Sequence, residues 1–258
     1  MIAGHYIFET VRRLPSRAVP WVVRAGPVSV AVEACNGRWW AVEPGTERDI
    51  ALTRPKDVLR LLPAGGIDEK LQLKADLYQC AASGVVVEPG DRVVDCGAFL
   101  GEFALGVRER ASEIICLEPD PRSFGALSAT VAGYETIQAR QQAAWKTDDK
   151  PLPMTLGTDP SETSALELDD GRVVGAVDAE TATLDDIDAD FAKIEAEGAE
   201  PEVLEGLEST TIPKLAVNCD AERDGESPRE LVIDRLEEIG YGTVVVGDDG
   251  RTIFARAT

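Results

Sequence analysis

The sequence predicts an α/β fold: a mostly parallel sheet with helices on both faces, closed by an antiparallel hairpin. Three observations predict it. Short apolar runs alternate with helix-spaced segments from residue 91 onward. One such run ends in an acid and then glycines, "VVDCGAFLGEF" at 93–103. The chain finishes on two strand-like runs around Asp248-Asp249-Gly250.

Taken in order, residues 1–80 do not follow the β-α rhythm. They read as an N-terminal α+β extension, a possible substrate cap or interface. Within it "PVSVAVEACNGRWWAVEP" predicts a hairpin turning at Asn36-Gly37, and "DVLRLLPAGG" a short helix with a glycine stop. Trp39 and Trp40 are adjacent and so face opposite sides of their strand; the sequence suggests one in the core and the other in ordinary packing or an interface, with stacking on a sugar ring as the alternative. Residues 81–258 form the main domain. "RVVDCGA" (92–98) is a buried strand, "GEFALGVRER" (101–110) a helix, and "EIICLEP" (113–119) a second buried strand. Asp120 is placed to cap the next helix, with Pro121 at its first position. "TIQARQQAAW" (136–145) reads as a third strand, and residues 147–190 as an irregular hairpin insert. "FAKIEAE" (191–197) is the fourth strand, followed by a helix around Val203, Leu204 and Leu207; "KLAVNCDA" (214–221) is the fifth. Ser227 and Glu230 have the spacing of a capping box, and Gly240 stands at the stop of the helix they open.

Composition narrows the partners. The net charge of −21 opposes binding to nucleic acid or an anionic membrane surface. No apolar run approaches the ~18 residues of a membrane helix, and the first residues lack the apolar stretch of a signal peptide. A cytoplasmic protein is expected. Acid is dispersed along the chain and only 7 of the 26 basic residues are lysine, a pattern that suggests halophilic adaptation. The 5 cysteines form no metal or disulfide pattern; Cys96, Cys116 and Cys219 sit in apolar runs and read as small buried hydrophobes.

In open parallel sheets, ligands bind beyond the carboxyl ends of the strands. Here Asp95 ends the first strand, Gly97 and Gly101 punctuate the crossover, and Glu118 ends the second strand 21 residues after Gly97. An acid at about that spacing grips a ribose diol. A dinucleotide needs G-x-G-x-x-G, whereas Phe99 occupies the place of the second glycine and Asp95 would repel a pyrophosphate. S-adenosylmethionine carries no phosphate and has a cationic end, beside which Asp95 and Glu102 are tolerable. An NAD-type oxidoreductase and a non-catalytic cofactor-binding relative are the alternatives.

"PGDRVVDCGAFLGEFAL" (89–105), "LEPDP" (117–121), "AAW" (143–145), "TLDDI" (183–187) and "KIEAEGAEPEVLEGLE" (193–208) resemble, in order, blocks of the FkbM family of methyltransferases. The resemblance implies the class I methyltransferase (Rossmann-like) fold with a seven-stranded sheet. It also implies S-adenosyl-L-methionine as donor and O-methylation of a hydroxyl on a sugar, glycan or small metabolite. By the same analogy Asp95, Gly97, Ala98 and Gly101 line the methionine end. Glu118 holds the ribose with Pro119 and Asp120 nearby, and Ala143, Ala144 and Trp145 flank the adenine. Two positions depart from the family pattern: Glu195 stands where the family usually has Asp, and Phe99 follows Ala98 where the turn often carries Asn.

For the transfer itself, a weakly nucleophilic hydroxyl benefits from a proton acceptor. The single histidine, His5, falls outside the main domain, which leaves Glu195, Glu197 and Asp185 as candidate catalytic carboxylates. Strand alternation puts Glu195 and Glu197 on one side, and Glu200, on the first turn of the following helix, is a second-tier candidate. The same carboxylates could instead bind Mg²⁺, and on the plainest reading they are solvated or cap the following helix. The run "DAERDGE" (220–226) reads as a solvated loop that could rim the substrate opening.

Overall fold

The computed structural model describes residues 21–25, 28–43, 49–166, 172–220, 223, 226 and 227–257. His5 lies outside them, as do parts of the 147–190 insert and of the 220–226 loop.

The described chain begins with four antiparallel strands, β1 (Trp21–Ala25), β2 (Val28–Cys35), β3 (Arg38–Val42) and β4 (Asp49–Leu52), in that spatial order. Asn36 and Gly37 turn β2 into β3 with positive φ at both residues, the geometry of a tight primed turn. The expected short helix over "DVLRLLPAGG" is two 3₁₀ turns, Pro55–Arg60 and Leu62–Ala64, stopped at left-handed Gly65. Then comes α1 (Ile67–Leu77).

The main sheet follows: β5 (Arg92–Cys96), α2 (Glu102–Val107), β6 (Glu113–Leu117), α3 (Pro121–Val131) and β7 (Ile137–Arg140). β8 (Gln142–Ala144), β9 (Leu152–Gly157) and β10 (Val173–Ala182) interrupt it. It resumes with β11 (Phe191–Ile194), α4 (Glu200–Glu205), β12 (Lys214–Asn218), α5 (Arg229–Ile239), β13 (Thr243–Val246) and β14 (Thr252–Arg256). The spatial order is β13-β14-β12-β11-β5-β6-β7. The pairs from β7 through β12 are parallel, and β14 joins antiparallel to both β12 and β13. This is the class I, Rossmann-like sheet, seven strands with an antiparallel end, and its order reverses between β5 and β11. The crevice at that reversal is where a ligand is expected.

Period-2 alternation sends successive side chains to opposite faces and builds two cores. Val93, Ile114, Cys116 and Phe191 face a cluster shared with α1, α2, α3 and the N-terminal strands. Val94, Cys96, Ile115, Leu117 and Ile194 face a second cluster with α4 and α5. Each fully buried aliphatic side chain contributes about 1.5–3 kcal/mol relative to exposure. The N-terminal sheet packs on α3, and the Ala51 amide donates to Thr130 Oγ1 at 3.0 Å. Trp39 and Trp40 are both half-buried against that first cluster.

Asp120 caps α3 as expected, accepting from the Arg122 amide at 2.8 Å. Gly240 ends α5 in the left-handed conformation. Three expectations need correction. Residues 136–145 are not one strand: after β7 the chain leaves the main sheet, and β8 pairs parallel with β10 in a separate sheet of order β8-β10-β9. Ser227 Oγ accepts from the Arg229 amide and donates to the Cys219 carbonyl, tying the loop to β12 in place of a reciprocal box with Glu230. The fourth strand stops at Ile194, so alternation does not set the directions of Glu195 and Glu197; a turn with positive φ at Glu197 and Gly198 does.

Candidate functional site

β5 delivers the chain to the crevice at Cys96, and the following turn is held from both sides. The Gly97 and Ala98 amides both donate to the Leu117 carbonyl, at 2.9 and 3.1 Å. Gly97 has φ +71°, and a Cβ there would lie 1.9 Å from the Glu195 carbonyl oxygen. Only glycine lets the end of β5 pass that close to the end of β11. Phe99 also has positive φ, and its amide donates to Glu118 Oε2 at 2.8 Å. Glu118 Oε1 accepts from the Asp120 amide at 2.9 Å. Each Glu118 oxygen therefore receives one backbone N–H and keeps further acceptor capacity. Burial pushes its carboxyl up to about 7.

A cavity of about 210 Å³ opens over this turn. Cys96 to Phe99 form its base, Glu118 and Pro119 one side, and Ala143, Ala144 and Trp145 the next, joined by Leu152 and Met154 of the second sheet. Lys193, Glu195, Ala196 and Glu197, at and beyond the end of β11, also line it. Arg60, Lys70 and Lys74 reach in from the N-terminal segment. α1 can bring those lysines close because it crosses α2 at Gly106, where a Cβ would lie 2.5 Å from the Leu71 carbonyl. Arg60 also lies over the Phe99 ring, 5.0 Å from its centroid.

A buried ion cluster adjoins the cavity, with Lys193 and Glu195 in its lining and Asp95 behind them. Lys193 Nζ lies 3.0 Å from Asp95 Oδ1 and 3.1 Å from Glu195 Oε2. It also donates to the Cys96 and Gly97 carbonyls at 3.1 and 2.7 Å. Burial opposes the ammonium, but Asp95 and Glu195 outweigh it and hold its pKa above the usual lysine range. Burial likewise acts against the Glu195 charge, yet Lys193 and Lys74 pull that carboxyl down to about 2. Burial raises Asp95, with Lys193 opposing. Glu197 behaves oppositely to Glu195: burial, then Glu195 and Glu200, push it up to about 8.

The residues singled out from sequence divide as follows. Gly97, Ala98, Phe99, Glu102, Glu118, Pro119, Ala143, Ala144 and Trp145 all line the cavity, as do Glu195 and Glu197. Asp95 is wholly buried beneath it and spends its charge on Lys193. Gly101 sits behind the turn as the N-cap of α2. Asp120 is also buried; it accepts from Thr163 Oγ1 at 2.6 Å and from Arg122, stitching the insert to the top of β6. Asp185 does not reach the cavity: its carboxylate accepts from the Glu208 amide at 2.8 Å and the Thr211 hydroxyl at 3.2 Å. Among the described residues no three or more His, Cys, Asp or Glu converge as metal ligands. Cys96, Cys116 and Cys219 are buried, free thiols whose pKa burial raises.

Sequence reasoning missed Lys193, Lys74, Lys70 and Arg60. Lys193 had a signal, since a lysine inside the apolar run "FAKI" must find buried partners. The other three had none, because only tertiary packing brings the N-terminal segment over the crevice.

No family model matches the chain. Ribosomal RNA small subunit methyltransferase A of Moorella thermoacetica is 32% identical over 112 residues, 43% of this chain and 38% of that protein. The chain thus aligns with well under half the length of that relative. Among solved structures, methyltransferase FkbM from Methylobacillus flagellatus is 18% identical with a TM-score of 0.44, over 78% of this chain and 60% of that one. A SAM dependent methyltransferase from Aquifex aeolicus is 16% identical with a TM-score of 0.40, over 74% of this chain and 98% of that one.

Proposed function

We propose that the cavity binds S-adenosylmethionine and that the protein is a methyltransferase acting on a hydroxyl of a sugar, glycan or small metabolite. One observation carries the choice of ligand. The amides of Gly97, Ala98, Phe99 and Gly101 are already bonded to the Leu117 carbonyl, the Glu118 carboxylate and the Ala98 carbonyl. A dinucleotide site needs such amides free to cradle a pyrophosphate. Here the turn turns inward, and Glu102 adds a negative charge at the first residue of α2. That supports a phosphate-free adenosine compound over NAD. In this reading Glu118 takes the ribose diol with its remaining acceptor capacity, and Ala143 to Trp145 with Met154 sandwich the adenine.

When bound, S-adenosylmethionine supplies a methyl group on a cationic sulfur. The chain's part is alignment and exclusion of water. Lys193 fixes the Gly97 turn through its carbonyl, which sets the cavity floor. Glu195, ionised and pinned by Lys193 and Lys74, is a poor proton acceptor and serves to orient. Glu197, pushed up to about 8, is better matched to accept the acceptor hydroxyl's proton. Arg60, Lys70 and Lys74 support a capping role for the N-terminal segment. The curated relative's name assigns ribosomal RNA to that protein. The net charge of −21 argues against RNA here.

The test is titration calorimetry with S-adenosylhomocysteine and, separately, NAD. The reading expects heat with the first and none with the second. The reverse result would overturn it.

A further inference from the structure

A second cavity opens beside the first. Glu195 and Glu197 line both, and Glu200, Asn218 and Asp220 complete the second, at the carboxyl ends of β11 and β12. Four carboxylates and an amide thus surround a space of about 210 Å³, and among the described residues no cationic side chain lines it.

The second cavity contains an unmet polar atom. Glu200 is 1% exposed. Its Oε1 accepts from the Ala196 and Gly198 amides at 2.8 and 3.3 Å, but its Oε2 is buried without a hydrogen-bond partner among the described residues. A buried carboxylate oxygen without a donor is costly unless something else supplies one. The neighbouring charges do not. Lys193 and Lys74 compensate Glu195 from the far side, and Arg251 pairs with Asp220 at 2.9 Å on the exposed rim. Among the described residues neither Glu197 nor Glu200 forms an ion pair.

We propose that this acidic cavity is the acceptor subsite and that it takes a protonated amine, so the methyl acceptor is an amino sugar or amino alcohol. The proposal rests on reading the adjoining cavity as the donor site. An ammonium supplies several N–H donors and a compact charge, which suits an unpartnered Glu200 oxygen in a cavity that Glu197 also lines. A neutral polyol offers these acids no opposite charge. A divalent cation requires convergent ligands, which the described residues do not present. The overall negative charge also favours encounter with a cation.

The experiment uses the full chain saturated with S-adenosylhomocysteine, whose own binding is measured first; if that ligand fails to bind, the donor reading fails independently of this one. Ethanolamine, glucosamine and galactosamine are then titrated beside their N-acetylated forms. The proposal expects at least one free amine to bind about tenfold or more tightly than its N-acetyl form. Glu200→Gln should remove that preference while S-adenosylhomocysteine binding persists. Asp220→Asn, on the exposed rim, should weaken it in a variant that folds whatever happens at Glu200. No amine outcompeting its N-acetyl form overturns the proposal. So does a preference that survives both substitutions, or tight Mn²⁺ binding that Glu200→Gln abolishes.

Discussion

Replacing Lys193 with Met tests the ion cluster on which the site stands. The side chain is 3% exposed and its partner Asp95 is 0% exposed, so water cannot take over the lost charge. Glu195 is 28% exposed and keeps Lys74 at 3.4 Å, so it contributes little to the loss. The remaining effect is an uncompensated buried carboxylate at Asp95, with the Cys96 and Gly97 carbonyls each short of one donor. Removing one partner of a buried pair costs about 3–5 kcal/mol, and the Met methylenes recover only part of that. Burial already raises Asp95 with Lys193 present. Without Lys193 the raised folded-state value climbs further, and the sign follows from linkage. The variant binds its proton more tightly when folded, so its stability is greatest below the unfolded value near 3.9 and falls as pH rises toward the folded one. Urea denaturation monitored by circular dichroism should therefore show a larger deficit at pH 8 than at pH 5. Asp95→Asn in the Lys193→Met background should restore part of it. A deficit under about 1 kcal/mol, well below the cost of a buried lone charge, or one that does not change with pH, would refute the reasoning.

Three further outcomes follow from the same geometry. Gly97→Ala must shift backbone at the end of β11, where the new Cβ meets the Glu195 carbonyl at 1.9 Å. A loss of about 2–4 kcal/mol in urea titrations, with S-adenosylhomocysteine binding weakened at least about tenfold, is expected. If Glu197 accepts the proton, kcat/KM rises with pH through about 8, because the base works only when ionised. Glu197→Gln should then flatten that limb and lower the rate about 100-fold or more. Finally, if the dispersed acid reflects halophily, the Tm rises by more than about 5 °C between low and molar KCl as screening relieves self-repulsion; an unchanged Tm removes that reading.

The legibility of this molecule in its sequence is uneven for physical reasons. Buried strands such as 92–96 and 113–117 announce themselves because both faces are covered and the run is apolar throughout. Helix ends at Asp120-Pro121 and Gly240 are equally plain, since caps are local chemistry. The break between β7 and β8 was hidden, because two short runs separated by a single residue carry the same propensity whichever sheet they join. Asp185 looked available until its loop folded back on residues 208–211, away from the crevice.

From the sequence alone came the strand order's raw material, the glycine turn and the acid 21 residues beyond it, because spacing along a β-α unit maps onto fixed places at the sheet's carboxyl edge. Tertiary structure alone decided what charge those places carry. It buried Asp95 against Lys193, split Glu195 from Glu197 in proton affinity, and laid Lys70 and Lys74 over the cavity. Position along the chain is a local property. The field at a carboxylate is summed over every neighbour that folding brings within a few ångströms, and at Glu195 one of those neighbours, Lys74, lies 121 residues away in the chain.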